Sequence, residues 1–126
     1  MAKNQTQALA NLKRWEIYLV TFDPTIGHEI KKTRPALVIQ NDIGNRYSPL
    51  TIVAAVTSKI SPVAYPVEVV IEPTSTNGLG VRSAIRLDQI RTVDRRRLIK
   101  RLGQIDRSIM TKVDEAIKIS LGLVEL

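Results

Sequence analysis

Residues 16–41 read EIYLVTFDPTIGHEIKKTRPALVIQN, and the reading of this stretch decides the fold. It holds two apolar runs rich in β-formers, EIYLVTF (16–22) and PALVIQN (35–41), with Asp23-Pro24 closing the first. Pro35 stands at the first residue of the second run, where a missing backbone donor costs least. The connection leaves no room for a crossover helix, so the two strands are expected to pair antiparallel. Yet GHEIKKTRP (27–35) holds a glycine, the chain's only histidine, a glutamate, two lysines and an Arg-Pro. That is more ionisable chemistry than a hairpin connection needs.

Outward from this hairpin the strand signals recur. DIGNRYSP (42–49) reads as a turn cluster and LTIVAAVTS (50–58) as a buried third strand. YPVEVVI (65–71) reads as a strand with Glu68 facing out, EPTSTNGLG (72–80) as a Gly-rich loop, and SAIRLDQI (83–90) and KRLGQI (100–105) as two further strands. The period then changes. Ile105, Ile109, Val113, Ala116, Ile117 and Leu121 recur at helical spacing, with Asp106 as N-cap and Gly122 as stop. Residues 1–12 are polar and aperiodic, a flexible arm ahead of a single domain at 13–126. Short antiparallel strands in a small domain hide their edges by curling. The expected fold is mainly β (α+β): a small SH3-like antiparallel β-barrel closed by a C-terminal amphipathic helix.

Composition narrows the function classes. The 126 residues suffice for one core without staples. Cysteine is absent, which excludes disulfides, thiolate nucleophiles and Cys-based metal sites; a single histidine makes a zinc site improbable chemistry, so no metal or cofactor is expected. The first residues, MAKNQTQALANLKR, lack the apolar core of a signal peptide, and no apolar run reaches membrane-spanning length. The chain therefore reads as soluble and cytoplasmic, with no membrane partner. Its net charge of +7 suits a polyanion, and nine of the nineteen basic residues fall between Arg82 and Arg107. A charge run by itself is more often a solvated face.

The segments EIYLVTFDPTIGHEIKKTRPALVIQND, VAAVTSK, YPVEVVI and IRLDQIRTVD, with the closing helix, resemble the MazF/PemK (Kid) toxins, the endoribonuclease halves of type II toxin–antitoxin pairs. The resemblance runs from Arg14 to Leu123. Its most specific piece is Gly-x-Glu-(x)4-Arg-Pro followed by Thr-Ser at the end of the third strand. It implies a dimeric SH3-like barrel that cuts single-stranded RNA at defined sequences, independently of metal and ribosome, leaving 2′,3′-cyclic phosphate and 5′-OH ends. It also implies an acidic antitoxin as partner. One departure is plain: the first strand of this family commonly opens Arg-Gly-Glu/Asp, whereas this chain has Trp15 in KRWEIY. Trp15 reads as a partly buried interface filler in preference to a base-stacking ring.

Metal-free RNA cleavage needs a rigid cation, hydrogen-bond donors and a proton acceptor around one phosphate. Arg34 is the first candidate, because its planar fork can hold two phosphate oxygens, and the resemblance places the family's essential arginine there. Thr57 follows, as a hydroxyl able to donate to a phosphorane oxygen. The Kid-like branch implies a second constellation of His28, Arg86 and Asp88. Histidine titrates near neutrality, while Asp88 reads equally as a salt-bridge partner of Arg86 or Arg91. Glu29 reads as a residue that orients Arg34. Lys31, Lys32, Ser58, Gln89 and Arg91 are candidate RNA contacts, and Tyr47 and Tyr65 candidate stacking platforms. Two other classes compete with the nuclease: a related toxin that binds a protein target such as gyrase, and a catalytically inactive RNA-binding module.

Overall fold

A computed structural model describes residues 11–24, 26–29 and 32–125. The hairpin of the opening stretch is present: β1 (Glu16–Thr21) pairs antiparallel with β2 (Thr33–Val38), Val20 facing Arg34. After β2 the chain forms a short helix, α1 (Asp42–Tyr47), where a turn cluster was expected. The helix holds because its ends and its buried asparagine are satisfied. Asn41 accepts from the Gly44 N–H, and the Ser48 N–H donates to the Gly44 carbonyl. Asn45, fully buried, donates to the Gln40 carbonyl and accepts from Thr51 Oγ1 at 2.8 Å.

The remaining strands are β3 (Leu50–Thr57), β4 (Glu68–Ile71), β5 (Ser83–Asp94) and β6 (Leu98–Gln104), with a 3₁₀ turn at Arg95–Arg97 and the helix α2 (Arg107–Ser120) at the end. They make one six-stranded sheet in the order β4-β5-β3-β2-β1-β6, antiparallel at every pairing. β5 runs four residues beyond its expected end. A register shift opposite Ala54 and Ala55, where Ile90 and Arg86 are the partners, leaves Leu87, Asp88 and Gln89 without partners on β3 as a bulge, Leu87 still turned into the core.

Alternation along the strands splits the core between the two faces of the sheet. Ile17, Leu37, Ala54, Val56, Ile85 and Leu87 join Val113 and Ala116 of α2 on one face. Tyr18, Val20, Ala36, Val38, Val53, Ala55, Val93 and Leu98 form the other cluster, to which Leu12 also belongs. Leu12 is 3% exposed, so the ordered domain already includes the last residue assigned to a flexible arm; residues 1–10 lie outside the described residues. α2 begins at Asp106, whose carboxylate accepts from the Ile109 N–H, and ends before Gly122 at φ +72°, both as expected.

Strand pairing does not close the sheet into a barrel among the described residues. Its two edges, β4 and β6, are bridged by the loop at 72–80, where the Gln104 N–H donates to the Thr76 carbonyl at 3.0 Å. The approach is close enough that a Cβ on Gly103 would lie 2.1 Å from the Thr76 oxygen. No helix among the described residues is long and apolar enough to cross a membrane.

Trp15 occupies a position that favours glycine. Its φ is +80°, in the left-handed region where an L side chain crowds its own backbone. The bond from its N–H to the Val38 carbonyl and the bond its carbonyl accepts from Ile105 hold it there. The indole packs against the α2-side core with its N–H buried and without a hydrogen-bond partner among the described residues, and the Arg14 guanidinium lies 5.0 Å from the ring centre. Arg14 also donates to the Ile39 carbonyl and pairs with Asp114 of α2 at 2.7 Å. Trp15 is thus an intramolecular filler between sheet and helix.

Candidate active site

The register of the central strands brings the first two candidates together. Ala36 of β2 faces Ala55 of β3, and continuing that register two residues toward the loop sets Arg34 opposite Thr57. Thr57 in turn faces Ala84 of β5, while Ala55 faces Arg86, and Arg86 faces Glu68 of β4. With a period of two, Arg34, Thr57, Arg86 and Glu68 all fall on the face of Ala36 and Ala55, at one end of the sheet. Arg34 is half-buried; Thr57 is buried, and its Oγ1 accepts from the Lys59 N–H at 3.1 Å. That bond leaves the threonine O–H to donate elsewhere. Ser58, next along, is exposed.

Arg86 and Asp88 meet across the bulge. The guanidinium grips the carboxylate with both arms, Nε to Oδ1 at 2.9 Å and Nη2 to Oδ2 at 2.7 Å. Hydrogen bonding to Asp88 raises the pKa of Arg86 further above its ordinary range. Of the two roles open to Asp88, the salt bridge with Arg86 is therefore present, and Asp88 remains exposed beside it. Tyr65, also exposed, places its ring 5.7 Å from the Arg86 guanidinium.

Glu68 was expected to face out and does not. Its neighbours Val67, Val69 and Ile71 pack on the helix side, which sends Glu68 to the opposite face, but that face is the site and not solvent. Its side chain is 3% exposed, accepts from the Ser61 N–H and Oγ, and lies 3.8 Å from Arg86. The signal was available in the sequence as alternation, but pairing with Arg86 could not be read without the register.

The loop after β1 is pinched at its base. The Phe22 N–H donates to the Lys32 carbonyl at 2.8 Å, and the Lys32 N–H donates to Asp23 Oδ1 at 3.0 Å, with Lys32 itself at φ +66°. Glu29 Oε1 accepts from the Ile26 N–H, so its carboxylate braces the loop. Gly27, at φ +58°, supplies the bend beside it. His28 is exposed at the tip, and no hydrogen bond or ion pair joins it to Arg86 or Asp88 within this chain. Lys31 lies outside the described residues. Between this loop and the β5 bulge opens a cleft of about 270 Å³, floored by Ala55 and edged by Phe22, Glu29, Gln89 and Arg91.

The other basic candidates have structural partners. In RTVDRRRLIKR (91–101), Arg91 donates to the Phe22 carbonyl, Arg95 to those of Asn45 and Ser48, and Arg97 to those of Thr21 and Asp23. Arg96 pairs with Asp94, and Arg101 with Glu16 at 2.6 Å. The run fastens strand and loop ends; it is not an unengaged phosphate track. Tyr47 lies on α1, at the opposite end of β3 from Thr57, with Arg46 over its ring.

Comparison with known proteins identifies the family and the fold. Residues 13–121 match the family described as "PemK-like, MazF-like toxin of type II toxin-antitoxin system". Endoribonuclease EndoA of Bacillus subtilis (strain 168) is 45% identical over 114 residues, covering 90% of this chain and 97% of that protein. Among solved structures, MazF from Deinococcus radiodurans superposes with a TM-score of 0.74 at 28% identity, covering 88% of this chain and 96% of its own. A MazE–MazF complex from the same organism gives 0.67 at 25% identity, covering 88% and 95%.

Proposed function

Because the chain belongs to the PemK-like, MazF-like toxin family of type II toxin–antitoxin systems, we propose that it is a sequence-specific endoribonuclease toxin of the SH3-like barrel type, cytoplasmic and homodimeric, cutting single-stranded RNA. The observation that carries this reading is the β2–β3 register, which, continued two residues past Ala36 and Ala55, brings Arg34 and Thr57 together on the sheet face that also holds Arg86. A forked cation and a hydroxyl donor on neighbouring strands suit one phosphate.

In the proposed reaction the ribose 2′-oxygen attacks the adjacent phosphorus in line. A bond forms from O2′ to phosphorus and the bond to the 5′-oxygen breaks, leaving a 2′,3′-cyclic phosphate and a 5′-OH. Arg34 and Thr57 bind the phosphorane oxygens, where charge is greatest. Asp88, exposed but held by Arg86, is the acceptor for the 2′-OH proton, and His28 the donor to the departing 5′-oxygen. Gln89 and Arg91 read a base in the cleft beneath the loop, and the exposed Ser58, Lys32 and Tyr65 are further RNA contacts. The scheme asks for no metal. The partner is an acidic antitoxin, in the place that MazE takes beside MazF in the Deinococcus complex.

The test uses a defined RNA, in EDTA, and its twin with a single 2′-deoxyribose 5′ of the scissile phosphate. The twin should bind equally and remain uncut, since the phosphate contacts are common to both and the nucleophile is not. Cleavage of the twin at that position would make water the nucleophile and overturn the scheme. A protein that binds both and cuts neither would be a binding module.

A further inference from the structure

We propose that Glu68 is a positioning residue of this site, holding Arg86 and the 58–67 loop in the geometry that presents Asp88. The inference rests on the nuclease reading given above, but its evidence is separate. Glu68 is an acidic side chain almost fully withdrawn from water, 3% exposed. Burying a carboxylate is costly unless it is hydrogen-bonded and paired. The local structure supplies both: Ser61 donates through Oγ at 3.0 Å and through its backbone N–H at 3.2 and 3.3 Å, and the Arg86 guanidinium lies 3.8 Å away. Glu68 thereby joins three parts of the site. Through Ser61 it anchors the loop that begins at Thr57 and Ser58 and carries Tyr65 over Arg86. Through Arg86, its cross-strand partner, it reaches Asp88 on the bulge.

Charge separates positioning from simple attraction. Arg86 lies between two carboxylates, so the trio of Glu68, Arg86 and Asp88 is net negative where an RNA phosphate must approach. Both forked contacts of Arg86 point to Asp88, and its third nitrogen faces Glu68. Arg86 is thus oriented as a holder of Asp88, with Glu68 fixing it from the next strand. A carboxylate acting only through its field would repel RNA, and its removal would tighten binding. A carboxylate that positions would, on removal, slow the chemistry without weakening binding.

The experiment measures single-turnover cleavage, and binding to the uncleavable 2′-deoxy RNA, for the parent, Glu68→Gln, Arg86→Gln and the double variant. Glu68→Gln is nearly isosteric and keeps an acceptor for Ser61. We expect its cleavage to fall by about 10–100-fold with a dissociation constant equal to the parent's or lower. The double variant should be no slower than Arg86→Gln alone, because both act through one network. Ser61→Ala, which leaves the charge in place, should show a smaller loss, about 3–10-fold, with binding unchanged; it carries the test should Glu68→Gln fail to fold. Cleavage by the Glu68→Gln variant (or, in its place, Ser61→Ala) within twofold of the parent overturns the inference. So does a loss that multiplies fully with that of Arg86→Gln, or one confined to binding. A parent that cleaves no RNA overturns the nuclease reading along with it.

Discussion

Arg34 and Trp15 represent two kinds of residue in this chain, one proposed for its chemistry and one tolerated against local preference. Arg34→Lys keeps the charge but loses the planar fork. Binding to RNA should move only a few-fold, whereas the cleavage rate should fall by about 10²–10³, the usual loss for one preorganised donor at a developing oxyanion. Anisotropy and single-turnover cleavage on the same RNA check the pair; cleavage within a few-fold of the parent would pass the central role to Arg86, Asp88 and His28. Trp15 sits at φ +80°, where alanine is strained and glycine is not. Truncating the indole costs packing in either case, so the informative comparison is between truncations. Trp15→Gly should exceed Trp15→Ala in stability by about 1 kcal/mol by urea unfolding, the reverse of their order in an ordinary strand. These residues also mark how far the sequence could be read. The strand position of Arg34 was legible because its motif is local, and the place of Trp15 was legible as a departure from glycine. Glu68 was not, because outward and siteward are the same direction in a pattern of period two. Only the pairing with Arg86 tells them apart.

At the level of elements, the strands with clean apolar runs were readable and the irregular ones were not. DIGNRY contains a glycine in its centre and reads as a turn, yet it forms α1 because the Asn41 cap and the buried Asn45 satisfy the groups that a short helix leaves open. β5 appeared to end at residue 90 because its bulge interrupts alternation, which then resumes to Asp94. The final helix was the clearest element, and its cap gives a pH test. The bond from the Ile109 N–H, with that from Ser108, holds the Asp106 carboxyl below its ordinary value near 3.8. A depressed folded-state pKa contributes stability that is present above the unfolded value and lost as pH falls through the folded one. Asp106→Asn keeps an acceptor oxygen but does not titrate. Thermal unfolding should therefore show the parent ahead of Asp106→Asn at pH 7, with the gap closing below about pH 4. A gap unchanged at pH 2.5 would remove the charge from the explanation.

For the whole molecule, the expected barrel is met in its parts: six antiparallel strands and a packed C-terminal helix, with a loop and not a strand pair between the sheet edges. A contact made by a loop between sheet edges leaves no periodic signal in a sequence. The charge is the other large-scale quantity, and its total misleads. Arg91, Arg95, Arg97 and Arg101 each donate to protein oxygens, so fewer than the nine basic groups of residues 82–107 are free to meet phosphates. The logarithmic salt dependence of RNA affinity should accordingly be shallower than the slope of about −6 that nine single-strand contacts would give. The proposed dimer should respond differently. Leu121, Leu123 and Val63 are exposed apolar groups, and an association resting on such surface should persist in 1 M salt by light scattering while RNA affinity falls. An active monomer at micromolar concentration would exclude the dimeric reading. A further consequence belongs to Trp15. It is the only indole in the chain, wedged between sheet and helix with Arg14 across its face and Asp114 behind that. Its fluorescence is therefore a built-in optical gauge of whether α2 is docked, with no second emitter of its kind to confuse the signal.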